Sequence, residues 1–291
     1  MPRAGQQLPP NVTVRPLRAG DIASLADLLA AAPDDGSLYQ FPHILSYPGE
    51  MRRLHRGWLR PTLYDPTTLI RIAVLSAEEQ GDKIIGFSSW QKREADETSE
   101  TGATRLVCID IAAPPSSNDD AGAADAAGSE GDDASSSSSS SSGSGKALTP
   151  NPQHTAAVKR VRKRLPRSPT LTTPCYELNG LAVHPGYQGL GVGSLLVCWG
   201  LERAAADGLP VFTTGDAGGV DFYEKALGFQ RLRGSEYWLD ADGQDIGEEE
   251  EDKGEGEGEA WKKGNGGLSG AEMVWCPKAT QVDVRGHVYR G

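Results

Sequence analysis

Between a strand-like run at 176–183 and a strongly patterned helix at 191–206 lies Gln188-Gly189-Leu190-Gly191-Val192-Gly193-Ser194, with glycine at three alternate positions. This feature constrains the chain most. Alternating glycines let backbone N–H groups converge without side-chain obstruction. The helix that follows adds unpaired amide donors and the positive end of its dipole. A strand, a glycine turn and a helix in that order make an anion site suited to phosphate or pyrophosphate. The bland alternative is a tight turn that only packs a helix closely on a sheet.

Two familiar phosphate loops are excluded by residues that can be read directly. A dinucleotide fingerprint starting at Gly189 needs glycine where Ser194 stands. The acid it needs about 20 positions on would be Asp207, at a helix end instead of a strand end. A P-loop needs Gly-Lys followed by Ser or Thr, which is absent here.

The surrounding pattern predicts an α/β or α+β sheet. Val12-Thr13-Val14-Arg15 reads as a strand, and Asp21 as the N-cap of a helix bearing Ile22, Leu25, Leu28 and Leu29. A further helix is weakly patterned over 49–58. Residues 69–75 and 83–90 read as a hairpin around Gly81-Asp82. The helix at 191–206 shows Val192, Leu195, Leu196 and Trp199 at i, i+3, i+4 and i+7, with Gly208 and Pro210 as its stop. A strand at 211–214, a helix at 219–227 closed by Gly228, and strands at 229–239 and 271–276 complete the set.

Two tracts interrupt this pattern. Residues 95–173, with the serine run 135–142, are expected to be a mostly disordered insertion, apart from the apolar patch 106–109. Residues 244–267 read as an acidic, glycine-rich loop. Neither marks a domain boundary, so a single domain over 11–291 is expected. The net charge of -11 belongs to these tracts. Six acids and no base lie in 113–145, and nine acids oppose one lysine in 245–259, leaving +3 elsewhere. A basic cluster, Lys159, Arg160, Arg162, Lys163, Arg164 and Arg167, reads as a solvated loop or as an import or anion-binding patch. No run approaches the roughly 18 apolar residues of a membrane span. The first residues lack a signal peptide's apolar stretch, and the four cysteines are scattered. A reduced, cytoplasmic or nuclear protein is therefore expected, with no membrane or direct nucleic-acid partner. No metal set appears among the histidines. Oligomeric state is open.

The run from Leu178-Asn179-Gly180-Leu181-Ala182-Val183-His184-Pro185 through Gly193 resembles the acetyl-CoA signature of the GNAT (GCN5-related N-acetyltransferase) superfamily. Phe222-Tyr223-Glu224-Lys225-Ala226-Leu227-Gly228-Phe229 resembles that family's second hallmark, and Met273-Val274-Trp275-Cys276-Pro277 its closing strand. The resemblance implies a central mixed, mostly antiparallel sheet flanked by helices. It implies acetyl-CoA as co-substrate and an amine acceptor, small molecule or protein. Backbone groups of Leu181, Ala182 and Val183 would pair with the pantetheine arm, as a peptide adds to a sheet edge. Gln188, Gly189, Leu190, Gly191, Val192, Gly193 and Ser194 would hold the pyrophosphate. Tyr223 resembles the general acid that protonates the leaving thiolate, with a packed core aromatic as the alternative. Glu177 resembles the family's base on this strand, or is a surface carboxylate. Asn179, on the same strand face, would orient substrate. Tyr39, Phe41, Tyr47, Trp58 and Tyr64 crowd the region where the resemblance places the acceptor loops, and read either as a lining of the amine pocket or as a local core. A catalytically silent acyl-CoA-binding or interaction module is the competing reading.

Overall fold

The computed structural model describes residues 8–77, 81–94, 148–165, 174–246, 267–277, 280–282 and 288–290. The serine run, the apolar patch 106–109 and most of the acidic loop lie outside them. The elements are β1 (Val12–Pro16), α1 (Ile22–Ala31), α2 (Asp35–Gln40), α3 (Pro48–Thr62), β2 (Thr68–Ala77), β3 (Gly81–Arg93), α4 (Pro152–Arg164), β4 (Cys175–Val183), α5 (Val192–Asp207), β5 (Val211–Asp216), α6 (Ala217–Leu227), β6 (Gln230–Arg231), β7 (Tyr237–Leu239) and β8 (Leu268–Trp275). A separate ribbon pairs β9 (Thr280–Val282) with β10 (Val288–Arg290).

Eight of the described strands form one sheet in the order β1-β2-β3-β4-β5-β8-β6, with β7 also on β8. All described neighbours run antiparallel except β4 and β5. The result is the mixed, mostly antiparallel sheet flanked by helices that the GNAT-like reading implies. The expected strand at 229–239 is broken into β6 and β7. Gly234, with φ 75°, sits between them, and Ser235 is buried with its hydroxyl donating to Leu232 O.

The helix α5 packs on the sheet through Val192, Leu196, Val197, Gly200, Leu201 and Ala204. The buried stripe is rotated from the one the spacing suggested. Trp199 lies at the edge of the interface, edge-on to Trp90 and under the Arg71 guanidinium at 4.0 Å. Trp90 on β3 causes the rotation, because its fully buried ring fills the place where Gly200 has no side chain. A Cβ at Gly200 would overlap three atoms of that indole. The helix-propensity gain of Gly200→Ala is only about 1 kcal/mol. Overpacking an enclosed ring costs about 1–3 kcal/mol or more, so the overlap wins. Gly200→Ala should therefore lower the urea midpoint, and an unchanged or raised midpoint would contradict this packing.

One expectation changes outright. The basic cluster is not a solvated loop up to residue 165: it is α4, inside the range read as disordered. Asn151 caps it by accepting from the amides of Gln153 and His154, and Pro152 occupies the first turn. Ala157, Val158, Val161 and Leu165 bury against Tyr39, Leu239 and Leu268. The basic residues Arg162, Lys163 and Arg164 fall in the last turn, where they complement the helix dipole. The helix at 49–58 extends over Pro48–Thr62. Asp21 does precede α1, but its carboxylate turns backwards, accepting from Arg18 N and from both Nη atoms of Arg15.

Candidate active site

The pairing of β4 with β5 sets the site. It runs only from Tyr176 opposite Val211 to Leu178 opposite Thr213. Beyond that point β4 stays on β3 and β5 stays on β8, so the two strands part. Asn179 is skipped in the β3–β4 register, which makes it a bulge at the point of divergence. The Thr213 hydroxyl donates to Leu178 O at 2.9 Å and pins the apex of the opening.

The glycine turn leaves β4 at Val183. A 3-10 turn over Pro185–Tyr187 follows, with His184 Nδ1 accepting from Gly186 N. Gln188 Nε2 donates to Val183 O at 3.1 Å and folds the turn back on the strand. Gly189 and Gly191 have φ of 77° and 86°, a region costly for residues with a Cβ. Gly191 is the N-cap of α5, and no side chain caps the helix. The first-turn amides of Val192, Gly193 and Ser194 therefore have no carbonyl within the helix to bond. Phe222 of α6 flanks this turn, 3.4 Å from where a Gly193 Cβ would stand.

A cavity of about 270 Å³ fills the opening between β4 and β5. Asn179, Gly180, Leu181, Thr213, Thr214 and Tyr223 line it from the sheet and α6, while α2 and α4 close it from the opposite side. Thus Asn179, Leu181 and Tyr223 are brought together. Ala182 and Val183 run on from them along β4 towards the turn, paired with Phe87 and Gly86 of β3. Tyr223 is 6% exposed, and its hydroxyl lies near Thr213. Burial pushes its phenol well above the ordinary value, so it stays protonated. Asp216 is the N-cap of α6: its Oδ1 accepts from Gly219 N at 2.8 Å.

Glu177 is buried and does not line the cavity. Its carboxylate accepts from Arg93 Nε at 2.6 Å. Tyr39 and Phe41 are buried, Trp58 packs edge-on to Phe87, and Tyr64 is exposed. Among the described residues no group of three or more His, Cys, Asp or Glu side chains is placed to hold a metal. No described helix is long and apolar enough to cross a membrane.

Two residues were not read from the sequence as members of the site, although Arg162 belongs to the basic cluster. Arg162 of α4 reaches the cavity. Glu272 of β8 is 7% exposed, and its Oε2 has no hydrogen-bond partner. The only hint was an acid inside the apolar run Ala271-Glu272-Met273-Val274-Trp275. Burial, and then the negative charge of Glu177, push the Glu272 carboxyl up to about 7. The native state thus keeps a proton that the unfolded chain releases near 4.5. This contribution to stability is complete below pH 4.5 and is lost as pH rises through 7. Glu272→Gln should flatten that decline and stabilise the protein at pH 8 by about 3 kcal/mol. Urea midpoints at pH 5 and pH 8 test this; a wild-type pH dependence retained in the variant would contradict it.

A parallel pair that splays over a cavity, next to an uncapped glycine-led helix, offers a free strand edge beside an anion site. Residues 153–229 match the model of the Acetyltransferase (GNAT) family. This stretch runs from α4 through α6. Similar solved structures include the histone acetyltransferase HPA2 and related acetyltransferase from Corynebacterium glutamicum, at 17% identity over 92% of this chain and 97% of that chain, with a TM-score of 0.46. Arabidopsis thaliana NAA60 in complex with a bisubstrate analogue shares 10% identity, over 92% and 98% of the chains, with a TM-score of 0.42. The ribosomal-protein-S18-alanine N-acetyltransferase of Escherichia coli shares 11%, over 91% and 93%, with a TM-score of 0.39. No curated protein matches the chain.

Proposed function

We propose that this chain is an N-acetyltransferase that moves an acetyl group from acetyl-CoA directly to a primary amine within a ternary complex. The observation that carries the proposal is the uncapped N-terminus of α5, led by Gly189 and Gly191 in left-handed conformation. The match of 153–229 to the GNAT family supports it.

The site fits the co-substrate. The amides of the 188–194 turn would hold the diphosphate of CoA. Backbone groups of Leu181, Ala182 and Val183, on the part of β4 that has left β5, would pair with the amide-rich arm. Bound acetyl-CoA supplies an activated thioester. One amide of β4 would polarise the carbonyl and stabilise the charge that develops on its oxygen.

Two protons must move. An alkylammonium with a pKa of about 10.4 carries its proton at neutral pH and must lose it before attack. Asn179, on the cavity wall, orients the amine. Glu177 lies outside the cavity wall, against Arg93, so water is the carrier that would take the proton from the amine. Tyr223, held protonated by burial, donates to the departing sulfur. Thr213, near that phenol, donates to Leu178 O at the apex of the strand opening.

Thiol release from acetyl-CoA, followed across a panel of amines and peptides, tests the reaction. Amine-dependent release is expected. Tight acetyl-CoA binding with no release for any amine would leave only a silent binding module.

A further inference from the structure

Arg162 is the only cation among the described residues lining the cavity. Its Nη2 is buried and has no hydrogen-bond partner. A guanidinium donor withdrawn from water without an acceptor costs about 1–3 kcal/mol or more. The other polar groups of the wall do not relieve it. Asp216 is engaged with Gly219 N, and both carboxylate oxygens of Asp34 are engaged with Ser37. Thr213 is engaged with Leu178 O. Around Arg162 the wall is apolar, formed by Val158, Val161 and Leu165 of α4.

We infer that the acceptor is a small amino acid or closely similar zwitterion, whose carboxylate binds Arg162 within the cavity. This rests on the acetyltransferase reading above and names the substrate class for the same site. The charge distribution selects a zwitterion over a plain anion. Asp34 and Asp216 line the cavity with Arg162, and Asp35 stands close enough to both that their charges, after burial, raise its carboxyl. An ammonium suits that acidic side, and a carboxylate suits the guanidinium. The cavity, at about 270 Å³, falls just short of the roughly 300–1,000 Å³ that takes drug-sized ligands. A small acceptor fits it.

The test compares matched pairs: L-leucine with isopentylamine, and L-phenylalanine with phenethylamine, each as acceptor with acetyl-CoA. In the native chain kcat/KM for the amino acid is expected to exceed that for its decarboxylated partner by about 100-fold, the cost of stranding one member of a buried charge pair. Arg162→Met should erase this preference while leaving the amine rates within a few-fold. Arg162→Lys, which keeps the charge but not the planar fork, should restore part of it. Circular dichroism and a thermal melt check that both variants fold. Equal rates within the pairs, a preference that survives Arg162→Met, or no turnover of either series despite acetyl-CoA binding would overturn the proposal. Loss of acetyl-CoA binding itself, read by calorimetry on the native chain, would instead overturn the underlying function, and this proposal with it.

Discussion

Replacing Gly191 and Gly193 together by valine is expected to weaken acetyl-CoA binding by about 100-fold or more, with a far smaller effect on folding. Gly191 stands at φ 86° at the head of α5 with nothing within 4 Å of a built Cβ. A side chain there is not refused by neighbours. The left-handed conformation refuses it, at about 1–2 kcal/mol, and the first-turn amides would turn away from their common focus. At Gly193 a Cβ meets only Phe222 at 3.4 Å and Val183 at 3.7 Å, ordinary contact distances. Valine there fits the fold but occupies the approach to the turn. Losing two charge-assisted hydrogen bonds of about 1.5–3 kcal/mol each accounts for the drop. Calorimetry paired with a thermal melt separates binding from stability. An affinity kept within threefold would remove the diphosphate from this turn.

Tyr223→Phe should lower kcat by about 10²–10³-fold while acetyl-CoA still binds. The ring is enclosed by Val220, Phe229 and Met273, and phenylalanine fills the same space, so the melt should barely move. Only the hydroxyl near Thr213 is lost. Because burial raises the phenol pKa, the native chain should show no loss of the proposed activity from tyrosine ionisation as pH approaches 10. A variant with full kcat would make Tyr223 a packing residue and no more.

The sequence exposed those parts of the site that depend on local chain chemistry. Glycines at 189, 191, 208 and 228 occur where the backbone has positive φ; Gly191 and Gly208 bracket α5, and Gly228 closes α6. Periodicity placed α5, but not its rotation, because the missing side chain of Gly200 makes room for Trp90, a residue of a distant strand. The helix α4 was hidden by its setting. Its basic residues continue a polar tract, and its apolar face has meaning only once Tyr39, Leu239 and Leu268 arrive from elsewhere in the chain. The strand opening depends on register between β4 and β5, which no single segment encodes. Glu177 resembled a base by position alone. Its burial against Arg93 and the unpartnered Glu272 both follow from cross-strand placement on one sheet face.

The most direct measurement compares two carriers by calorimetry on the native chain: CoA, and pantetheine, which keeps the arm but lacks the diphosphate. If the amides at the head of α5 grip that diphosphate, CoA binds at least about 100-fold more tightly than pantetheine. Equal affinities, or no heat from CoA at millimolar concentration, would contradict the site on which the proposed reaction depends.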